Sequence, residues 1–367
     1  MIRSAIDGAC HFIHKRFIWL LLGSYVIAGV FPDPGLTLRG VLLGTTKLPV
    51  VMLAFLLFNA GLGVEVSDLK QLWKRPAGLA LGLFANLFIP IAFIWGAAQT
   101  MQLWHNPDEV QNILVGLALV ASMPIAGSST AWSQNANGNL ALSLGLVLSS
   151  TVLSPLTTPI ALHSVALMTT GDYSEDLHEL AGSGTGSFLT FAVIAPSLLG
   201  IAARALLGQE RVTRVRPFLK LSNSVVLLLL NYSNAAVSLP QTVADPDLDF
   251  LAVTVTITLG LCLAAFAAGW LIGRRGKFND AEQISLTFGL GMNNNGTGLV
   301  LASMALADHP RVLLPIIFYN LVQHLIAGVV NANWPRMRTM QLARADSRDG
   351  PPTWEIIRRL FRFSTIP

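Results

Sequence analysis

This sequence is short of charge. Asp, Glu, Lys and Arg make up 12% of its 367 residues, against 53% hydrophobic residues and a mean hydropathy of +0.58. A soluble domain carries about 25% charged residues, so a water-soluble globular fold is excluded and a polytopic membrane protein is indicated. Cysteine occurs only as Cys10 and Cys262, lone thiols with no disulfide framework or CxxC metal signature. An HExxH, a metal-ligand cluster, paired aspartates and a nucleophile beside its base are all missing from the apolar stretches, which argues against an intramembrane enzyme. The early run "HKRFIWLLLGSYVIAGVF" lacks a small-residue cleavage site before "PDPG" and reads as a retained first span, with a signal peptide as the alternative. The net charge of +4 would suggest a nucleic-acid partner in a soluble chain. Here the basic residues sit between apolar runs, where they orient the protein in a bilayer.

Ten apolar segments approach the ~20 residues that a membrane helix needs. They are Phe17–Phe31, Leu48–Val64, Pro76–Gln99, Val110–Asn135, Leu140–Met168, Ser183–Ala203, Pro217–Leu239, Phe250–Ile272, Ile284–Ala307 and Val312–Val330. With the N-terminus in the cytoplasm, all but Arg39, Lys47 and Arg311 of the 24 Lys and Arg residues fall on the cytoplasmic side. The opposite loops hold the acidic "HNPDE", "GDYSEDLHE" and "DPDLD". A miscount by one span would scramble this alternation, so ten spans with both termini cytoplasmic are expected. Residues 336–367 form a basic tail whose amphipathic "WEIIRRLFRF" suits an anionic inner leaflet.

"LLFNAGLGV" in the second segment is answered by "LLLNYSNAA" in the seventh, and the fourth and ninth are both rich in Gly and Asn. Two five-span halves must enter from opposite sides, so an inverted repeat is expected. The fourth segment contains "MPIAGSSTAWSQNANGN" and the ninth "GLGMNNNGTGLV". Pro124 removes a donor, and the glycines permit angles that a helix does not use. Unpaired main-chain groups in lipid cost several kcal/mol each, so broken helices at this depth must be covered by protein or line a wet cavity. Small residues also serve close helix packing. Matching interruptions in both halves favour a binding site built from carbonyls, amides and half-helix dipole ends.

"PIAGSSTAWSQNANGNLALSLGLVLSSTVLSPLTTP", "GLGMNNNGTGLVLA" and "QHLIAG" resemble the fourth and fifth, ninth and last spans of the bile acid:sodium symporter family, of which this would be a bacterial-type divergent member. The resemblance implies an all-α fold of ten transmembrane helices. Helices 4 and 9 would be discontinuous and cross at the midplane; spans 1, 2, 6 and 7 would form a panel and spans 3–5 and 8–10 a core, within residues 1–335. It implies secondary transport of organic anions, bile-acid-like or small carboxylates, driven by sodium. The candidate cation ligands are Asn86 (with a one-residue deletion before Pro90), Ser129, Thr130, Ser143, Met292 and Asn293; Asn294 and His324 match substrate-facing positions. The chain departs from the pattern at three ligands. Gly289 replaces the carboxylate that serves both ions, Thr130 an asparagine and Val147 a threonine. A site of neutral oxygens lacks the strongest hard-cation ligand, which weakens coupling to sodium.

His324 lies deep in the tenth segment, where an ionisable residue is a functional candidate for bonding an anion or carrying a proton. Asn59, Asn231 and Asn234 fit either a cavity lining or packing. The alternatives are a sodium-independent or proton-linked anion carrier and a non-transporting anion sensor. A cation/proton antiporter ranks lower, because it needs paired buried carboxylates and no Asp or Glu lies within a span. No cofactor is expected beyond Na+, and no protein partner. The expected location is a bacterial inner membrane.

Overall fold

The computed structural model describes residues 2–64 and 76–346. Lys70, Lys74, Arg75 and the "WEIIRRLFRF" of the tail lie outside the described residues. In chain order the elements are α1 (Ile2–Val30), α2 (Asp33–Gly40), β1 (Leu42–Leu43), β2 (Thr46–Lys47), α3 (Leu48–Leu62), α4 (Pro76–Met101), α5 (Pro107–Ser122) and α6 (Ser128–Asn135). There follow α7 (Leu140–Ala166), α8 (Asp172–Glu179), α9 (Thr185–Phe188) and α10 (Ala195–Ala235). The rest are α11 (Leu239–Ala244), α12 (Leu248–Arg275), α13 (Asp280–Gly291), α14 (Asn295–Ala305) and α15 (Leu313–Asp346). The two strands make one short antiparallel hairpin, pairing Leu42 with Lys47 and Leu43 with Thr46; the described residues are otherwise helices and their connections.

Side-chain caps set where several helices begin. Asn106, Asn139, Asp247, Asn279 and Asn294 each accept a bond from a main-chain N–H in the first turn that follows, and Asn279 forms a reciprocal capping box with Glu282. Each supplies an acceptor to a donor that the helix leaves unpaired, worth ~1 kcal/mol.

Among the described residues five helical runs are long and apolar enough to cross a membrane: Pro76–Met101, Leu140–Ala166, Thr185–Ala235, Leu248–Arg275 and Pro310–Trp334. The pair Arg16–Val30 and Asp33–Gly40, bent by 93°, makes a sixth if counted as one span. The chain is thus an all-α integral membrane protein whose apolar segments are cut differently from the expected ten. Segment two is a helix of 15 residues, and segments four and nine are each divided in two. Segments six and seven are two helical stretches that meet at a kink within α10, at Gly208, whose φ of +76° is left-handed. The residues of "ARALLGQE" other than Gly208 are strong helix formers, so the basic stretch is helical up to the kink and beyond it.

Two packing groups frame the molecule. In the first, α3 and α1 both lie against α10. The backbones of α3 and α10 touch at Gly61 and Gly200, where a Cβ on either residue would overlap the main-chain oxygen of Ser197 or Phe58. In the second, α4, α5, α7, α12, α13 and α15 pack on one another, burying Ile113, Leu117, Leu119, Phe288 and Tyr319.

The close approach gives a test. Gly200→Val should lower the thermal stability of the purified protein in detergent by about 1–3 kcal/mol, the usual cost of overpacking. Gly23→Ala, where a Cβ meets nothing within 4 Å, should leave the melting temperature unchanged. Equal melting curves for both variants would show that the helices do not meet at these glycines.

Candidate functional site

Segment four comes apart at Met123–Gly127 and segment nine at Met292–Asn294, and the two breaks face each other. Ala126 N–H donates to Met292 O at 2.9 Å, and Asn294 N–H donates to Pro124 O at 2.8 Å, an antiparallel bridge centred on Ile125 and Asn293. The four half-helices pack in two pairs. α5 packs on α14, and α6 packs on α13, joined by Ser133 Oγ and Ser285 Oγ at 2.8 Å.

Other main-chain groups freed by the breaks find partners in neighbouring helices. Ser150 Oγ accepts from Ile125 N–H at 3.1 Å, and Thr158 Oγ1 donates to Ser122 O at 2.6 Å. Tyr319 Oη donates to Gly291 O at 3.4 Å, with the Cys262 thiol at 3.9 Å from the same oxygen. Gln323 Oε1 accepts from Asn293 N–H at 3.0 Å, and Asn293 Nδ2 donates to Val120 O at 3.0 Å.

The three consecutive asparagines divide the work. Asn293 carries the bridge, and Asn294 caps α14 through Thr297 N–H at 3.3 Å. Asn295 is 1% exposed and its amide has no partner on either atom. Asn293 Oδ1, Thr297 Oγ1, Ser129 Oγ and Asn86 Oδ1 are also buried without a partner. Such groups cost about 1–3 kcal/mol each when left unsatisfied, so several together around two helix breaks mark a place for a polar occupant.

The expected site residues fall as follows. Asn86, on α4, lines a cavity of about 20 Å³ with Ser122, Pro124, Ser150 and Thr157, large enough for one water molecule. Ser129 and Thr130 open α6, Ser143 lies in the first turn of α7, and Ser143 Oγ donates to Thr130 Oγ1 at 3.2 Å. Met292 and Asn293 form the second break. His324 is buried on α15, next in sequence to the Gln323 that holds Asn293, and its ring meets Phe17 edge-on at 5.5 Å. Gly289 ends the penultimate stretch of α13, and a Cβ there would meet Leu146 Cδ1 at 3.0 Å. An apolar side-chain tip therefore borders position 289 on one side.

A polar chain across the molecule was not visible in the sequence. From Asn293, Gln323 continues to Asn320, with Nε2 donating to Asn320 Oδ1 at 3.3 Å. Asn320 Nδ2 donates to Tyr25 Oη at 2.8 Å and to Asn231 Oδ1 at 2.9 Å, and Tyr25 Oη donates to Asn231 Oδ1 at 3.2 Å. The second break is thereby connected to α1 and α10. The signal present in the sequence is Asn320, Gln323 and His324 at helical spacing on one face of an apolar segment. Of the other asparagines weighed, Asn59 Nδ2 donates to Asn223 Oδ1 at 2.9 Å, and Asn234 Oδ1 accepts from Arg39 Nη1 at 2.8 Å.

A double-mutant cycle of Tyr25→Phe and Asn320→Leu tests that connection. The two changes should couple by ~0.6 kcal/mol or more in unfolding free energy, the scale of interhelical bonds in membranes. Strict additivity would mean that the phenol and the amide do not meet.

Residues 50–244, more than half of the chain, match the Sodium Bile acid symporter family. The uncharacterized protein YbaS of Bacillus subtilis is 29% identical over 278 residues, covering 75% of this chain and 85% of that protein. The uncharacterized sodium-dependent transporter YocS of the same bacterium is 24% identical over 329 residues, 89% of this chain and 92% of that one. The rice protein named probable sodium/metabolite cotransporter BASS2, chloroplastic, is 23% identical over 300 residues, 81% of this chain and 64% of its own. Family members are transporters rather than enzymes, and this chain, an integral membrane protein with the paired helix breaks described above, belongs to the sodium bile acid symporter family.

Proposed function

We propose that this protein is a secondary transporter of small organic anions that works by alternating access around the paired breaks of segments four and nine. One observation carries the reading: two interrupted helices are held together by reciprocal main-chain bonds while Ser129, Asn293, Asn295 and Thr297 keep buried polar atoms without partners. Such a junction offers carbonyls, amides and hydroxyls to a charged solute where lipid offers none. Asn294 and His324 are the proposed substrate contacts. In this reading ten spans form two inverted five-span halves, and the first packing group (segments 1, 2, 6 and 7) moves as a panel against a core of segments 3–5 and 8–10.

The contacts of the half-helices suit such motion. α14 packs on α3 and α10, whereas α6 packs on α13, α7 and α15 and exposes Gly127, Ala131, Gln134 and Asn135. The seam is thus closed at the α14 end and free along α6. Both termini are assigned to the cytoplasm of a bacterial inner membrane, on the placement of the basic residues.

Sodium is proposed as a weakly coupled co-substrate. The oxygens of Asn86, Ser129 and Asn293 lack partners and suit a hard cation. The family's carboxylate position is Gly289, however, and a Cβ there would meet a Leu146 methyl at 3.0 Å. An ion entering such a site gives up hydration for neutral oxygens alone, so a steep sodium requirement is not expected. The related proteins named as sodium-dependent transporters support sodium as the ion to test first.

Purified protein in proteoliposomes should accumulate a small carboxylate from a tested panel, and replacing sodium by choline should lower the initial rate by less than about threefold, since loss of a weakly held ligand is worth under 1 kcal/mol. Absence of uptake for every anion tried would remove the transporter reading; a second-order sodium requirement would remove the weight placed on Gly289. The double variant Gly289→Glu with Leu146→Ala, which makes room for a carboxylate, should increase sodium dependence at least tenfold. No gain in a well-folded variant would show that position 289 does not govern the ion.

A further inference from the structure

Arg39 is the basic residue whose setting the transport reading does not yet use. α2 turns by 93° away from the end of α1, and Tyr232 Oη fixes the bend by donating to Phe31 O at 2.6 Å. Gly35 lets α2 lie directly on α10, because a Cβ there would meet Ala236 and Tyr232. This placement carries the half-buried Arg39 to the seam between the two packing groups. Nη1 donates to Asn234 Oδ1 at 2.8 Å on α10, and Nη2 donates to Ser303 O at 2.9 Å on α14. Ser303 Oγ closes the triangle with Asn234 Oδ1 at 3.4 Å.

Two features of this junction point to an anion. The guanidinium has no carboxylate partner among the described residues, and both of its acceptors are neutral. Ser303 lies in the last turn of α14, whose carbonyls carry a partial negative charge that holds a cation only modestly. Asn234 is fully buried and its Nδ2 has no partner, leaving a second donor unused beside the guanidinium. A carboxylate offers two ionised oxygens in the geometry of the guanidinium fork, and such a pair is roughly twice as strong as a neutral bond. It therefore competes with the Asn234 amide and the Ser303 carbonyl for the same N–H groups.

We propose that Arg39 is the entry contact for the carboxylate of the transported anion, and that without cargo the same side chain pins α14 to α10. Arrival of the anion exchanges a bridge across the seam for a salt bridge to the solute, which frees α14 from α10 at this end of the bundle. The assignment rests on the transporter reading and adds to it a residue that selects for negative charge. Lys at position 39 would keep the charge but lose the fork, and Gln would lose the charge.

Full-length protein with Cys10 and Cys262 replaced by Ser and a single cysteine introduced by Ser303→Cys keeps the main-chain acceptor at 303 and supplies a reporter. A membrane-impermeant maleimide should label it slowly, faster with benzoate and no faster with benzamide, its neutral analogue. Arg39→Gln should raise the basal rate at least on the order of tenfold, since both charge-assisted bonds of the guanidinium are lost, and remove the response to benzoate. Arg39→Lys should stay slow and respond weakly, which controls for folding. Labelling of Arg39→Gln at the wild-type rate, or equal effects of benzoate and benzamide, would overturn the assignment. Uptake in proteoliposomes separates the two readings. Normal anion uptake with unaltered labelling in Arg39→Gln sinks only the role of Arg39. The expected labelling pattern without uptake of any anion sinks transport and leaves the anion site.

Discussion

Two main-chain hydrogen bonds, Ala126 to Met292 and Asn294 to Pro124, hold the rest of this structure in place. Helices interrupted in a membrane release donors and acceptors that lipid cannot satisfy, at several kcal/mol apiece. Here each break supplies what the other lacks. Pro124 has no N–H to give but offers its carbonyl, and Asn294 takes it while its own side chain starts the next helix. The breaks are stable only together. Every neighbouring element that satisfies the remaining groups is then fixed in register: α7 through Ser150 and Thr158, α12 through Cys262, and α15 through Tyr319 and Gln323.

The same constraint explains how a junction that packs so closely remains suited to function. Several main-chain groups at the breaks are paired with main chain or with fixed side chains, while Ser129, Asn293, Asn295 and Thr297 hold buried side-chain atoms without partners. The polar chain from Gln323 through Asn320 to Tyr25 and Asn231 ties the second break to α1 and α10. The second break and the first packing group are thus joined by side-chain hydrogen bonds as well as by apolar contact. At Gly289 the one side-chain atom near a would-be Cβ is a Leu146 methyl, 3.0 Å away, so an apolar group borders that position.

The helix breaks were legible because Pro, Gly and Asn in membrane-length apolar runs violate helix chemistry in a recognisable way. The membrane class followed from scarcity of charge. The division of labour among Asn293, Asn294 and Asn295 was not legible, because it depends on which atoms of a distant segment lie opposite; Asn293 and Val120 are 173 residues apart. Tyr25 and Asn320 are 295 residues apart, and no local pattern joins them. Segments six and seven were expected as separate spans, and the kink at Gly208 divides them; the basic residues beside it stay helical because charge marks the membrane boundary without ending a helix. Arg39 was read as a residue left over from the charge pattern, since the bend that aims it is set by Tyr232, far along the chain.

The central claim is that the paired breaks enclose the place where an organic anion binds. Diffusing an iodinated aryl carboxylate into crystals of the protein and locating the iodine by anomalous scattering tests this most directly. The account predicts a peak beside the Ile125–Asn293 bridge, within reach of Asn294 and His324. Iodine found only at the periphery, or segments four and nine running as unbroken helices, would contradict it.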